Sequence, residues 1–332
     1  MKQSLRVAVI GCGAISGNHF AAIREAGQEL VALCDILPSR TRGAIQKYAL
    51  GELPCFTDYI EMLDTVKPDA VHICTPHYLH APMCIAAMER DIHVLCEKPL
   101  CISLEQLKEL REAARRSRSQ VGVCLQNRYE PNMRRLYEMS REGVSAACGY
   151  VTWKRDAAYY GSGTWRGTWD QEGGGVMINQ ALHTLDLMQW ICGMPTRVSA
   201  RTFTDHLAGV IEVEDTATAR FEGEGNVFTF FATVAAGGDF PVSIQARLAT
   251  GELMQVENYQ FTCNYEPLPS ASQGAVLGKS VWGMGHKWLI ADFYDHIEKG
   301  TPFPIDLEEG SKVVRMILAM YASNGALVDI PE

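Results

Sequence analysis

The sequence predicts two domains: an α/β domain built on a doubly wound parallel sheet, then an α+β domain with an antiparallel sheet. Three observations point there. Short apolar runs alternate with helix-like segments up to about residue 127. A glycine-rich turn, Gly11-Cys12-Gly13, joins the first run to the first helical pattern. Beyond residue 128 strand-like runs follow one another without intervening helices. A chain of 332 residues suits two cores better than one, and 47% hydrophobic residues can fill both.

The first-domain runs are Leu5–Ile10, Leu30–Cys34, Ala70–Cys74, Ile92–Cys96 and Val121–Cys124. They are almost continuously apolar, as parallel strands buried on both faces must be. His80–Glu89 and Leu104–Arg116 read as helices between them, the second opened by Ser103 and Gln106 as a capping box. Strand and helix in alternation imply the doubly wound sheet. In the second domain a long helical run, Val176–Cys192, stops at Gly193 and Pro195. Gly149–Trp153, Val198–Phe203, Thr216–Phe221, Val227–Ala232 and Ser243–Ala249 read as strands, with Gly223-Glu224-Gly225-Asn226 as a hairpin turn. A last helix runs from Glu308 to Ser323. The expected domains are 1–127 and 128–332, with the terminal helix free to pack back on the first.

Bulk properties narrow the partners. A formal charge of −9 argues against nucleic acid, whose phosphates need clustered Lys and Arg. The one basic cluster, Arg111 to Arg118, falls on a helix and reads as a solvated face. The 11 cysteines are odd in number, lack any Cys-x-x-Cys pair, and several lie inside apolar runs. That pattern fits free, buried thiols in a reducing compartment, and neither a disulfide framework nor a metal site is expected. No apolar run is long enough to span a bilayer, and the chain enters Leu5–Ile10 with no secretory pattern before it, so a cytoplasmic protein is expected.

Gly11 and Gly13 follow a strand and open a helix. There the first glycine permits the tight turn, and the second lets the backbone around Ala14 and Ile15 approach a pyrophosphate at the helix N-terminus. The third position holds Ser16, still small, with Gly17 beside it. Asp35 ends the second strand, where a carboxylate accepts from ribose hydroxyls and repels a 2′-phosphate. NAD is therefore favoured over NADP. Arg40 either reaches the adenine end or is a surface arginine.

Cys96-Glu97-Lys98-Pro99 places a lysine at the edge of the fourth run. A lysine trading a proton beside a nicotinamide implies hydride chemistry at a carbon bearing a hydroxyl or carbonyl. Together with Thr75-Pro76-His77-Tyr78-Leu79-His80-Ala81-Pro82, Gln126-Asn127-Arg128, Trp165-Arg166-Gly167, Gly173-Gly174-Gly175 and Asn179-Gln180-x-x-His183-x-x-Asp186, the chain resembles the glucose–fructose oxidoreductase/inositol dehydrogenase (Gfo/Idh/MocA) family over almost its whole length. The resemblance implies a Rossmann domain followed by a large open antiparallel sheet, and a homodimer or homotetramer formed through that sheet. It implies nicotinamide-dependent oxidation or reduction of sugars, sugar derivatives or cyclitols. Lys98 inherits proton transfer, with a cis peptide expected at Lys98-Pro99. Thr75, Pro76, His77, His80, Glu97, Trp165 and Arg166 fall to the cofactor. Asn127, Arg128, Tyr160, Asn179 and His183 fall to a small carbohydrate substrate, with His183 as the second acid/base candidate. His286, in a segment similar to one near the pocket of some relatives, is a further candidate.

Asn179, His183 and Asp186 fall at i, i+4 and i+7, one stripe of an otherwise apolar helix, which should face a cavity or a hydrogen-bond network. Many family dehydrogenases carry aspartate where this chain has Asn179, and asparagine cannot take up a proton. Asn-Gln here looks more like members acting on nucleotide sugars or glycosides, so Lys98 and His183 must share the proton traffic. Asp186 either orients one of them or caps a structural network. The aromatic loop Tyr159 to Trp169 suits sugar faces, or cofactor cover, or simple packing. Three functions remain open: a carbohydrate dehydrogenase, a redox-assisted glycoside cleavage with NAD retained and recycled, and a non-catalytic sugar- or NAD-sensing protein.

Overall fold

A computed structural model describes residues 4–161, 163, 165–257, 260–269 and 285–332. The chain divides into two compact units, Met1–Gln126 with Ala275–Ser311, and Asn127–Gly274 with Lys312–Glu332.

The first unit holds β1 (Arg6–Ile10), α1 (Ser16–Glu25), β2 (Glu29–Cys34), α2 (Pro38–Tyr48), β3 (Cys55–Phe56), α3 (Tyr59–Val66), β4 (Ala70–Ile73), α4 (His80–Met88), β5 (His93–Cys96), α5 (Leu104–Ala114) and β6 (Val121–Val123). Its strands are all parallel, in the order β3-β2-β1-β4-β5-β6. Val7, Ala8, Val9, Val71, Val94 and Leu95 are fully buried, because helices cover both faces. The order reverses between β1 and β4, the crevice where such sheets bind ligands at their carboxyl ends. Gly11–Gly13, Asp35, Thr75-Pro76 and Glu97-Lys98 all lie just past strand ends at that edge. Ser103 caps α5 by accepting from the Gln106 amide (3.2 Å), while Gln106 Oε1 reaches back to the Ile102 N–H (2.9 Å) and not to that of Ser103. Arg111 pairs with Glu308 and Arg118 with Asp91, as suits a solvated basic face.

The second unit holds α6 (Pro131–Ser140), β7 (Val144–Lys154), α7 (Ala157–Gly161), α8 (Leu182–Cys192), and strands β8 (Arg197–Phe203), β9 (Thr216–Glu222), β10 (Val227–Thr233), β11 (Ala235–Leu248), β12 (Leu253–Glu257), β13 (Gln260–Cys263), β14 (Glu266–Pro267) and β15 (Leu327–Asp329). They form one nine-stranded sheet ordered β14-β13-β12-β11-β7-β10-β9-β8-β15. Every pairing is antiparallel except β7 with β10, which is parallel. The Gly223–Asn226 turn joins β9 to β10, closed by the Gly223 N–H on the Asn226 carbonyl (3.1 Å). Burial alternates along β9 and β10: Ala217, Ala219, Phe221, Phe228, Phe230 and Ala232 face inward, with Phe221 and Phe228 stacked at 4.7 Å. Each such phenylalanine contributes roughly 2–3 kcal/mol by burial. Helix α8 lies on this face, its Met188 filling the space where Gly149 has no side chain.

The long run Val176–Cys192 is not one regular helix. Met177–Ala181 forms a π turn, and α8 begins only at Leu182. The expected stripe divides within α8, between His183 and Asp186. Asn179 and His183 are half-buried, whereas Asp186 is 1% exposed and turned into the core.

Candidate active site

In the first unit the glycine turn is built by close contacts. Gly11 has φ +92°, its N–H donates to the Cys34 carbonyl (2.8 Å), and a Cβ there would stand 2.5 Å from the Cys74 carbonyl oxygen. Only glycine fits. Gly13 is the opposite: nothing lies within 4 Å of where its Cβ would be, so the backbone is open to a ligand. The close packing expected of the third position falls to Gly17, which abuts Tyr48, while the Ser16 hydroxyl turns back onto the Gly13 carbonyl (2.8 Å). Ala14 is exposed and Ile15 half-buried at the N-terminus of α1.

The Asp35 carboxylate is fixed by the Cys12 N–H (2.9 Å) and the Leu37 N–H (3.0 Å). A carboxylate has roughly four lone-pair sites, so these bonds orient it and leave capacity for ribose hydroxyls. Arg40 stands 3.8 Å away and is 53% exposed. Cys12 is no reactive thiol: burial, then Asp35, pushes it up to about 12. An open glycine, a fixed carboxylate and a helix N-terminus at one sheet edge fit a dinucleotide.

Lys98 is half-buried, and its peptide to Pro99 is cis. His80 braces this turn, with Nδ1 2.6 Å from the Pro99 carbonyl and Nε2 2.9 Å from that of Thr75. His80 is 1% exposed and His77 5%, so both are interior groups. Burial lowers the pKa of His80, and its two carbonyl partners oppose that shift.

Glu97 anchors a buried chain of polar groups that the sequence did not reveal. One oxygen meets His19 Nε2 (3.0 Å) and His286 Nε2 (3.2 Å), and the other accepts the Lys98 N–H (3.3 Å). His19 Nδ1 contacts His72 Nδ1 (2.9 Å), and His72 Nε2 contacts the Tyr294 hydroxyl (2.8 Å). Burial alone would raise the Glu97 carboxyl, but hydrogen bonds from His19 and His286 outweigh it and hold the group well below the usual range. His19, Glu97 and His286 also bring one potential metal-ligand atom each within 4.8 Å of one another. His19 sits one helical turn past Ser16 on the buried face of α1, the only sequence signal for it.

In the second unit Arg128 is not a free substrate group. It is 4% exposed, forks onto Asp186 (2.8 and 2.6 Å), and lies over the Trp190 ring. Asp186 is thus committed to a structural ion pair. Asn127 and Tyr160 are buried, and the Asn127 Oδ1 and Tyr160 hydroxyl have no hydrogen-bond partner among the described residues. Buried polar atoms are rarely left so, and each suits a ligand hydroxyl. The Arg166 guanidinium rests over Trp165 and Tyr159 at 4.6 and 5.1 Å. Ser162 and Thr164 of this loop lie outside the described residues.

Two glutamates not singled out in the sequence organise the start of the helical run. Glu214 receives the N–H groups of Gly175 (2.9 Å) and Met177 (3.0 Å) and the Tyr321 hydroxyl (2.9 Å). Glu172, with no exposed surface, accepts the Gly167 N–H (2.5 Å) and the Asn179 side-chain amide. Burial raises both to about 7 against the hydrogen bonds they receive. An acidic residue just before a glycine triplet reads as loop, so nothing in the local sequence marks Glu172.

The parallel sheet, its glycine turn and the strand-end carboxylate define a nicotinamide-dinucleotide oxidoreductase. Residues 5–125 match a family model described as an oxidoreductase family with an NAD-binding Rossmann fold, and residues 135–254 match the GFO/IDH/MocA C-terminal domain. The chain belongs to the GFO/IDH/MocA oxidoreductase family and binds NAD. It is 27% identical to a D-glucoside 3-dehydrogenase of Escherichia coli (strain K12), covering 96% of this chain and 95% of that one. A D-apiose dehydrogenase of Paraburkholderia graminis is 28% identical over 66% of this chain and 58% of its own. Among solved structures, the WlbA dehydrogenase from Bordetella pertussis, in complex with NADH and UDP-GlcNAcA, superimposes with a TM-score of 0.85 at 26% identity, covering 99% of this chain and 100% of that one. No helix among the described residues is long and apolar enough to cross a membrane.

Proposed function

We propose that this protein is an NAD-dependent dehydrogenase acting on a secondary alcohol of a sugar, sugar derivative, glycoside or cyclitol. The observation that carries this reading is Lys98, half-buried just past β5 at the sheet edge that also bears the glycine turn and Asp35. Gly11, Gly13, Ala14, Ile15 and Asp35 would hold NAD, which when bound supplies the hydride acceptor. Lys98 takes the hydroxyl proton during oxidation and returns it during reduction. Glu97, kept ionised by two imidazoles, fixes the backbone of that lysine. His183 and Asn179 bind the substrate hydroxyls, as do Asn127 and Tyr160 through their unpaired polar atoms. The names of the relatives support glycosides and nucleotide sugars as the substrate classes to try first.

The sheet carries Tyr150, Phe203, Phe231 and Phe240 exposed, with Tyr150 and Phe231 in register on neighbouring strands. This aromatic face supports self-association through the sheet, which light scattering would measure.

The test is a panel of sugars, cyclitols, glycosides and nucleotide sugars followed for both NADH and product. Net NADH with a keto product is the expected result. Glycoside cleaved without net NADH would replace simple dehydrogenation by transient oxidation and elimination. Tight sugar binding with no turnover of any panel member would make the protein a sensor.

A further inference from the structure

The helical run that bears Asn179 and His183 starts on one distant residue. The Gly175 N–H donates to Glu214 Oε2 (2.9 Å) and the Met177 N–H to Glu214 Oε1 (3.0 Å), while the Val176 N–H between them donates to the Glu214 main-chain carbonyl (3.1 Å). A helix start leaves four N–H groups without intrahelical partners. Here a single residue, 37 to 39 positions away, serves three in a row. Tyr321, on the last helix Leu307–Ser323, donates its hydroxyl to Glu214 Oε1 (2.9 Å) and fixes the carboxylate from behind. This approach accounts for the glycine triplet: a Cβ at Gly174 would collide with the Tyr321 hydroxyl, and one at Gly175 with the Glu214 carbonyl oxygen. We propose that Glu214 is a positioning residue that holds the π turn Met177–Ala181 and, through it, the place from which Asn179 meets the substrate. This rests on the dehydrogenase reading above.

A π turn carries an extra residue, is rare, and occurs mostly at functional sites. Both of its ends are held here. Beyond it, Leu182, Leu185 and Met188 of α8 have no exposed surface and anchor the helix in the core. Before it, Glu214 anchors the first three N–H groups. The extra residue therefore cannot be wound into α8, and Asn179 keeps its direction. Were the start released, rewinding by one residue would swing Asn179 about 100° around the axis, while His183, on the core-anchored side, would stay. The segment before Glu214 also holds the aromatic loop. The Glu212 N–H donates to the Gly167 carbonyl (2.8 Å), and the Trp169 indole N–H donates to the Glu212 carbonyl (3.0 Å). Glu172, which accepts from the Gly167 N–H and the Asn179 amide, joins the two anchored pieces. The Glu214 carboxylate uses both oxygens for its three donors. A glutamine has one acceptor oxygen, and its NH2 group would face a donor. Glu214→Gln thus loosens the start of the run with almost no change of shape.

Two measurements on the full chain test this at pH 8, above the value of about 7 to which burial raises Glu214. In the first, 15N NMR follows the Asn179 side-chain amide, identified by its loss in Asn179→Ala, and hydrogen exchange follows residues 175–181. Glu214→Gln should move or split the Asn179 signal and speed exchange in that stretch, and Tyr321→Phe should do both more weakly. An Asn179 signal and an exchange pattern unchanged in Glu214→Gln would overturn the proposal. In the second, methyl glucoside is oxidised with NAD. Glu214→Gln should raise KM about tenfold, the worth of one hydrogen bond, with kcat and NAD affinity nearly unchanged. In an Asn179→Ala background the same substitution should add little to KM, whereas in a His183→Ala background it should keep its full effect. An equal rise in all three backgrounds is what a general loss of structure produces, and it would overturn the positioning role. If Glu214→Gln does not fold, Tyr321→Phe takes its place in the same cycle, with about a threefold rise in KM expected. A wild-type protein that neither binds nor oxidises any panel sugar, with the Asn179 signal still moved by Glu214→Gln, would count against the dehydrogenase reading and for the hold of Glu214 on Asn179.

Discussion

Glu97 in the first unit and Glu172 in the second are both buried carboxylates beside candidate site residues, and their environments push them in opposite directions. Glu97 faces two imidazoles and is held well below the ordinary range. Glu172 accepts from a peptide N–H and a neutral amide, with Arg166 and Glu214 acting on it in opposite directions, and rises to about 7. Burial acts upward on both. The partners decide the outcome: imidazoles, which can share or carry positive charge, outweigh desolvation, and neutral dipoles do not. One carboxylate is thus a fixed charge beside Lys98, and the other a titrating group beside the Asn179 amide.

The comparison can be pressed at several points. The largest effect is expected at the fixed-charge end: Lys98→Ala should lower turnover between about 10² and 10⁴-fold while NADH fluorescence titration shows cofactor binding largely kept. A near-wild-type rate would remove the lysine from the chemistry. Arg128→Ala should cost roughly 3–5 kcal/mol of stability in urea melts, because it strands Asp186 in the core. If it raised KM without affecting stability, Arg128 would be a substrate group after all.

Glu97→Gln should cost roughly 1–3 kcal/mol at pH 7 by leaving a buried imidazole unsatisfied. The sign with pH separates the two glutamates. The folded pKa of Glu97 is depressed, so its contribution is present above the unfolded value near 4.5 and is lost as pH falls through the folded one. Glu172 and Glu214 are raised, so their neutral forms favour the fold, and stability falls as pH rises from about 4.5 to about 7. Thermal melts between pH 5 and 8 should show that decline, on the order of 1–3 kcal/mol, and Glu172→Gln should flatten part of it. The smallest structural effect belongs to Gly13→Ala: stability within about 0.5 kcal/mol of wild type, since the Cβ meets nothing, with weakened NAD affinity by isothermal titration.

Much of the fold was legible because its signals are local. Val7–Ile10 or Val71–Ile73 could only be strands covered on both faces, and Gly11 with Asp35 marked the dinucleotide edge. The π turn at Met177–Ala181 was not legible, since a regular helix and one widened turn share the same apolar spacing. Arg128 read as a substrate group because nothing local announces Asp186, 58 residues away. Likewise His19, His72, Glu97, His286 and Tyr294 meet only through the fold, at separations from 53 to 222 residues. Glu172 lies seven residues from Asn179, but across a glycine loop whose path no periodicity predicts.

The single parallel pair in the nine-stranded sheet also bears on synthesis. β7 is the first of the nine strands to leave the ribosome and ends up between β10 and β11, with Val227 facing Ala146 in register. Neither edge of β7 can be satisfied until its distant partners have emerged. A nascent chain therefore carries its future central strand uncovered while the aromatic loop and α8 are made, a long-range closure that slows folding and exposes a sticky edge. Recoding to slow elongation between β8 and β9 should lower the soluble yield more than the same change after β11.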